Sequence, residues 1–267
     1  MIPVPCGRCV GCRLERSRQW AMRCMHEKRL HNMSSFITLT YAPDRLPDGN
    51  TLVLRDLTLF FKRLRKVSGN GLRYYACGEY GDVGGRPHYH ALLLNFDFND
   101  RRRLSTGSSR HQLFTSATLD KLWSDATGPI GFTSVGDVDF DSCAYVARYI
   151  MKKALGKDAE ETRFDPATGV CRLPEFTVMS RRPGIGKGYV DKYGSELLAH
   201  DSVVFNGREV RPPRFYDDKL YELDPVQFDR NKMERLRMIK PSENTTKRLR
   251  VREVVAEAAL KLKGRKL

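Results

Sequence analysis

The pattern of apolar and polar residues predicts a series of short strands and helices in the first part of the chain. Runs rich in β-branched and aromatic residues at 36–41, 72–80 and 88–96 are typical of buried strands. Over 56–66, apolar residues recur at i, i+3, i+4 and i+7, which predicts a helix with one buried face. A Gly-rich segment separates the second and third strands, which are therefore expected to form a hairpin with a long loop.

Three further elements are predicted before the pattern weakens near residue 155. They are a short helix at 119–124, a strand at 132–138, and a helix that Asp141 and Ser142 are expected to cap. The order is then strand, helix, two strands, helix, strand, helix. This order predicts an α+β fold in which an antiparallel sheet of about five strands carries helices on one face.

The composition along the chain predicts three parts. Residues 1–30 form a Cys-rich lead and a basic helix, and residues 31–200 form the main domain. Residues 201–267 form a polar, basic extension in which helical spacing of apolar residues returns only near the end.

Charge gives the first indication of function. The sequence holds 47 Lys and Arg against 32 Asp and Glu, which gives a net charge of +15 and an isoelectric point near 9.6. An excess of this size favours a polyanionic partner, because each neutralised phosphate releases bound counterions. Nucleic acid is the expected partner, although a protein that is simply basic would have the same composition.

No apolar run approaches the roughly 20 residues needed to cross a bilayer. Residues 1–6 also lack the charged and then apolar order of a secretion signal. We therefore expect no membrane partner and a cytoplasmic location, in which cysteines stay reduced.

The tripeptide His88-Tyr89-His90 opens an apolar strand. Alternate residues of a strand share a face, so the two imidazoles are expected to point together and to grip a divalent cation. Glu79 ends the preceding strand and is the predicted third ligand, an oxygen donor suited to Mg²⁺ or Mn²⁺. The alternatives are two exposed histidines near a strand end and a solvated carboxylate.

Tyr145 and Tyr149 lie at i and i+4 of the last predicted helix, so they are expected to share a face. Lys152 and Lys153 follow within one turn. A phenol with a pKa of about 10 is a poor nucleophile at neutral pH, and nearby ammonium groups would favour the phenolate. Taken alone, the segment is equally consistent with partly buried packing residues.

Cys6, Cys9 and Cys12 are spaced three residues apart, as zinc ligands often are. A structural zinc site needs a fourth ligand, for which Cys24 and His26 are the candidates. Ordinary reduced thiols are the alternative, and the spacing does not decide between them.

Together and in this order, these motifs resemble the HUH-class replication initiators, and specifically those of gokushovirus-like microviruses, which are single-stranded-DNA phages. The strand at 36–41 is similar to the first motif of that class, 85–93 to its histidine–hydrophobe–histidine motif, and 145–153 to its two-tyrosine motif. The cysteine lead at 5–12 and the turn at 180–186 are also similar to the phage group.

The resemblance implies an HUH endonuclease-like fold, a central antiparallel sheet flanked by helices, with the tyrosine helix across from the histidines. It also implies a mechanism. One tyrosine attacks an origin phosphodiester and leaves a 5′-phosphotyrosine and a 3′-OH that primes synthesis. After one round the second tyrosine attacks the regenerated junction, and the 3′-OH circularises the displaced strand.

The implied partners are single-stranded origin DNA and the host helicase and polymerase, and the implied location is the bacterial host cytoplasm. Basic residues in or beside the motifs are predicted to contact the DNA: Arg86, Arg148, Arg181, Arg182 and Lys187.

Three other interpretations stay open at this level. A plasmid or transposon relative would share the chemistry. A non-catalytic basic sheet would bind single strands through aromatic residues such as Tyr74 and Tyr75. A zinc-stabilised DNA-binding regulator would depend on the cysteine cluster instead.

Overall fold

A computed structural model describes residues 5–81, 84–104, 112–152, 164–165, 169–205 and 207–262, apart from the side chains of 148–152 and 165. The chain forms two compact units, one from Lys28–Ile185 and one from its two ends, Met1–Glu27 and Gly186–Leu267. The division into functional domains at residues 30 and 200 stays a prediction.

The central unit contains an antiparallel sheet. The strands of this unit, in chain order, are β1 (Ser34–Thr40), β2 (Arg73–Tyr80), β3 (Pro87–Leu94), β4 (Arg102–Arg103), β5 (Phe114–Thr115), β6 (Ser124–Asp125), β7 (Gly128–Pro129), β8 (Thr133–Gly136), β9 (Phe164–Asp165), β10 (Val170–Cys171) and β11 (Phe176–Met179). Seven of them form one sheet in the order β11-β2-β3-β1-β8-β5-β4. All of its pairings are antiparallel.

This arrangement confirms the α+β class and the hairpin of β2 and β3. The sheet is wider than the expected five strands because β4 and β5, with two residues each, join one edge. Strands this short carry no readable alternation of polar and apolar residues.

The core lies between one face of the sheet and the helices α2 (Leu54–Ser68) and α3 (Ala117–Leu122). Burial alternates along β1, so Ile37 and Leu39 enter the core while Thr38 and Thr40 face the other side. Trp123 follows α3 and is fully buried, and its indole N–H donates to the Thr40 carbonyl at 2.7 Å. This bond fixes the end of β1.

Helix α4 (Phe140–Lys152) packs against β2, β3 and β11 on the opposite face. The expectation that the helices share one face of the sheet is therefore wrong. The residue pattern shows that a helix is amphipathic but not on which side of a sheet it packs.

The predicted cap of α4 also needs correction. Asp139, rather than Asp141, accepts the hydrogen bond from the Ser142 amide at 2.7 Å, and the Ser142 hydroxyl accepts one from the Asp139 amide at 2.9 Å. This reciprocal pair satisfies two backbone donors at the helix start.

The second unit contains the basic helix α1 (Val10–Lys28) and the helices of the C-terminal region. These are α5 (Lys187–His200), α6 (Asp217–Leu223), α7 (Pro225–Arg237) and α8 (Thr246–Leu262), with a hairpin of β12 (Val203–Phe205) and β13 (Arg208–Val210). His26 of α1 is buried here, stacked on Tyr189 at 3.9 Å between ring centroids. Its Nδ1 lies 2.8 Å from the Tyr216 hydroxyl.

Among the described residues, every helix is too short or too polar to cross a membrane.

Core packing against the sheet should dominate the stability of the central unit. Phe60 is fully buried, so we expect Phe60→Ala to lower the free energy of unfolding by about 3–5 kcal/mol through lost burial and a residual cavity. Thermal and urea unfolding followed by circular dichroism measure this. Val67→Ala, at a position 54% exposed on the same helix, should change it by less than about 0.5 kcal/mol. Equal effects of the two substitutions would contradict the assignment of the core.

Candidate metal and nucleophile site

The strand register brings three metal-ligating side chains together. Glu79 of β2 lies directly opposite His88 of β3, and His90 follows two residues later on the same face. One ligand atom from each of the three residues lies within 4.8 Å of the others. The site therefore follows from the hairpin itself and lies on the face of the sheet that α4 covers.

Both imidazoles converge on a single carboxylate oxygen. Glu79 Oε1 lies 2.7 Å from His88 Nε2 and 2.8 Å from His90 Nε2. The Glu79 and His90 residues are 1% and 7% exposed, so this polar cluster is largely removed from bulk water. A cluster this buried has to be neutralised by its own members or by a bound ion.

Hydrogen bonds behind the rings orient both histidines. His88 Nδ1 lies 3.0 Å from the Arg86 carbonyl, which only accepts, so Nδ1 carries a proton. His90 Nδ1 lies 2.9 Å from the hydroxyl of Thr38, its partner in the β1–β3 register. In a neutral imidazole protonated on Nδ1, the Nε2 lone pair is free to bind a metal, and such supporting contacts are typical of metal-ligating histidines.

The donor set fits a divalent cation. Two neutral imidazole Nε2 atoms and a carboxylate oxygen are all acceptors, and acceptors at 2.7–2.8 Å repel unless a proton or a cation lies between them. The second oxygen, Glu79 Oε2, is buried without a hydrogen-bond partner among the described residues. Burial alone would raise the pKa of Glu79, but hydrogen bonds from His88 and His90 outweigh it and lower that pKa, which keeps the carboxylate ionised.

Tyr145 extends from α4 into this cluster. Its hydroxyl donates to Glu79 Oε1 at 3.1 Å and lies 3.5 Å from His90 Nε2. Its ring meets the His90 ring edge-on, at 5.0 Å between centroids. Phe36 of β1 stacks parallel to His90 and meets Tyr145 edge-on, so it fixes the spacing between the two rings.

The other predicted members of the nucleophile motif are described only in part. Tyr149 and Lys152 belong to α4, but their side chains, like that of Arg148, lie outside the described part of the structure. Lys153 lies outside the described residues altogether.

The predicted DNA contacts are dispersed. Arg86 is exposed in the β2–β3 loop, and its Nη2 donates to the Tyr41 carbonyl at 2.8 Å. Arg181 and Arg182 are exposed in the turn after β11. Lys187 belongs to the other unit and forms an ion pair with Asp191 at 3.0 Å. Of these residues, Arg86 is the one that contacts an element of the metal and nucleophile site directly, through the orientation of His88.

The three cysteines of the lead also cluster, within the terminal unit. The sulfur atoms of Cys6, Cys9 and Cys12 lie within 4.8 Å of one another. Hydrogen bonds from the backbone amides of Cys9 and Arg8 lower the pKa of Cys6 to about 7, which favours its thiolate.

Neither candidate for a fourth zinc ligand joins this cluster. Cys24 is fully buried in α1, and His26 is engaged by Tyr216 and Tyr189. Their assignment as zinc ligands is therefore wrong, because both face the packed interior of the terminal unit.

Sequence reasoning missed Thr38 and Phe36. The signal was present in the alternation of β1, where Phe36, Thr38 and Thr40 occupy the face opposite the core. What was absent was the knowledge that β1 pairs with β3, which local pattern does not give.

Comparison with known proteins identifies the family. The profile of a family described as replication-associated protein ORF2 matches residues 34–154, a range that includes Glu79, both histidines and Tyr145. The replication-associated protein VP4 of Bdellovibrio phage phiMH2K is 33% identical over 223 residues, which cover 80% of this chain and 66% of that protein. The chain belongs to this family of phage replication-associated proteins.

Two further family members are more distant. Replication-associated protein ORF2 of Spiroplasma virus 4 is 29% identical over 255 residues, covering 86% of this chain and 73% of the relative. Replication-associated protein ORF4 of Chlamydia phage 1 is 29% identical over 238 residues, covering 85% and 56%. The chain thus spans from about half to three quarters of the length of these family members. No solved structure matches it.

The contact behind His90 gives a test of the metal site. We expect Thr38→Val to lower the affinity for Mn²⁺ roughly 10- to 100-fold, because the ring loses the partner that orients it. Titration of Mn²⁺ by electron paramagnetic resonance measures this. Thr58→Val, on an exposed face of α2, is the matched control and should leave the affinity unchanged. Unaltered binding in Thr38→Val would contradict the role of this hydrogen bond.

Proposed function

We propose that this chain initiates rolling-circle replication of a phage genome by nicking and rejoining single-stranded origin DNA. The observation that carries the proposal is the meeting of a tyrosine hydroxyl with a carboxylate and two imidazoles at 2.7–3.5 Å. Family membership supports a role in replication, and the chemistry of the site supports the reaction.

Glu79, His88 and His90 would hold the divalent cation, for which Mg²⁺ or Mn²⁺ is the expected identity. When bound, such an ion neutralises the scissile phosphate and stabilises the leaving oxygen. The supporting contacts of Thr38 and of the Arg86 carbonyl keep both Nε2 atoms turned toward the site.

Tyr145 is the proposed nucleophile. Its oxygen forms a bond to phosphorus while the bond from phosphorus to O3′ breaks, which leaves a 5′-phosphotyrosine and a 3′-OH. The phenolic proton leaves along the hydrogen bond toward Glu79 Oε1, and O3′ takes up a proton, so the charges balance. One phosphodiester replaces another, and the energy of the broken bond is retained for rejoining.

Tyr149 is the proposed second nucleophile. It follows Tyr145 by four residues within α4, the spacing at which helix side chains become neighbours. Two phenols that alternate at one site would let the chain cut the regenerated junction while the first strand end is still attached. Lys152 and Lys153 are proposed to favour the phenolate forms by their charge.

The basic charge of +15 supports binding of the DNA backbone in single-stranded form. Arg86, Arg148, Arg181, Arg182 and Lys187 are the proposed phosphate contacts. Unwinding and synthesis are assigned to the host helicase and polymerase in the bacterial cytoplasm.

The non-catalytic alternative loses its main support. It required Tyr74 and Tyr75 to be available for stacking on bases, but Tyr75 is fully buried and Tyr74 is stacked on Phe61 at 3.9 Å. A plasmid or transposon relative is disfavoured because the three relatives named above belong to phages or viruses.

A cleavage assay tests the proposal. With a labelled single-stranded origin oligonucleotide and Mn²⁺, we expect a covalent protein–DNA adduct on a denaturing gel. The adduct should be absent with a chelator and in the double variant Tyr145→Phe, Tyr149→Phe, since a phenyl ring has no oxygen to attack phosphorus. Tyr221→Phe, at an exposed tyrosine of α6, should leave it intact. An adduct that persists in the double variant would overturn the assignment of the nucleophile.

We also propose that Cys6, Cys9 and Cys12 bind a structural Zn²⁺ ion through three thiolates. Their proximity and the lowered pKa of Cys6 support this, since zinc is bound by the thiolate form. The described residues supply no fourth ligand, so that position falls to water or to a group outside them.

Metal analysis of protein purified under reducing conditions tests the zinc site. One zinc per chain is expected, and substitution of any of the three cysteines by Ser should lower that content. Cys171→Ser, at an exposed cysteine of the other unit, is the control and should not change it. Zinc-free wild-type protein that still folds would refute a structural metal at this position.

A further inference from the structure

An exposed aromatic residue lies in the same row of the sheet as the metal ligands. The register places Glu79 opposite His88, and His88 opposite Thr40 of β1. The Thr40 amide and hydroxyl both donate to the Phe132 carbonyl, at 2.9 and 3.0 Å, which continues the row to the residue before β8.

The side chain of Phe132 belongs on the face of the metal site. Val135 of β8 is buried in the core on the opposite face, and Thr133 shares its side by alternation. Phe132 precedes Thr133 and therefore points away from the core. It is 66% exposed, although a phenylalanine gains by burial. Two strand spacings separate it from His88, a distance of about 10 Å.

The backbone around Phe132 is held firmly. A Cβ atom at Gly131 would lie 2.1 Å from the Thr40 carbonyl oxygen, so glycine is required where the chain passes close to β1. Together with the two hydrogen bonds from Thr40, this close packing fixes where the ring emerges.

A cation lies at the same end of the sheet. Arg86 crosses from the β2–β3 loop to the Tyr41 carbonyl, next to Thr40, and its side chain is exposed to solvent. A metal site, a guanidinium and an exposed ring thus lie along one end of the sheet. This sequence of groups matches a phosphate at the metal, a neighbouring phosphate and a base.

We propose that Phe132 is a stacking platform for a nucleobase that flanks the scissile phosphate, with Arg86 on the adjacent backbone phosphate. The proposal deepens the proposed function and rests on it for the place of the scissile phosphate. Stacking on an aromatic face accepts any base, so Phe132 positions the strand without reading its sequence. It is a positioning residue, since it does not touch the reacting atoms.

Binding without cleavage separates this proposal from the nicking reaction. In the background Tyr145→Phe, Tyr149→Phe with a chelator present, the affinity for a fluorescent oligo-dT strand is measured by anisotropy. We expect Phe132→Ala to weaken binding roughly 5- to 150-fold, the range for loss of one stacked base. Phe132→Trp should retain the affinity, and its indole fluorescence should be quenched on titration with the strand.

Phe164→Ala is the matched control, because Phe164 is 53% exposed in the same unit but lies on β9, outside the row. It should leave the affinity unchanged. Unchanged affinity in Phe132→Ala, or an equal loss in Phe164→Ala, would overturn the proposal. A correct stacking result together with absence of any covalent adduct in the otherwise unsubstituted chain would instead overturn the nicking mechanism.

Discussion

The convergence of two imidazole nitrogens on one buried carboxylate oxygen is the interaction on which the rest of the site depends. Glu79 Oε1 receives His88, His90 and the phenol of Tyr145 within 3.1 Å or less. A carboxylate buried without such partners would take up a proton and lose its value as a ligand. Its ionised state is therefore a product of the hairpin register, and the same register creates a place where a divalent ion would replace the protons that hold the cluster together.

The two faces of the sheet divide the tasks of stability and chemistry. On one face, β1 contributes Ile37 and Leu39 to a dry core under α2. On the other, the intervening residues Phe36 and Thr38 contact His90 from the side and from behind. A single strand with a period of two thus supplies both, and a shift of its register by one residue would exchange the two sets.

Local pattern reached the strands, the helices and the histidine pair because each lies within a short stretch of sequence. Glu79 was also within reach, since a hairpin brings the ends of its two strands together. The pairing of β1 with β3 was not, because Thr40 and Pro87 lie 47 positions apart and no local rule chooses the neighbour of a strand. The same limit applies to the face on which α4 packs. The resemblance to phage initiators supplied that placement, and the position of Tyr145 beside His90 agrees with it.

The terminal unit is assembled from the first and last parts of the chain, and this has a consequence for biosynthesis. His26 leaves the ribosome early, whereas its partners Tyr189 and Tyr216 emerge only after the whole sheet has been made. Domains tend to fold as they are synthesised, so the central unit can complete itself while α1 still lacks its packing partners. A chain released early would carry a finished sheet and an unpaired helix, and a protease would distinguish it readily from the full-length product.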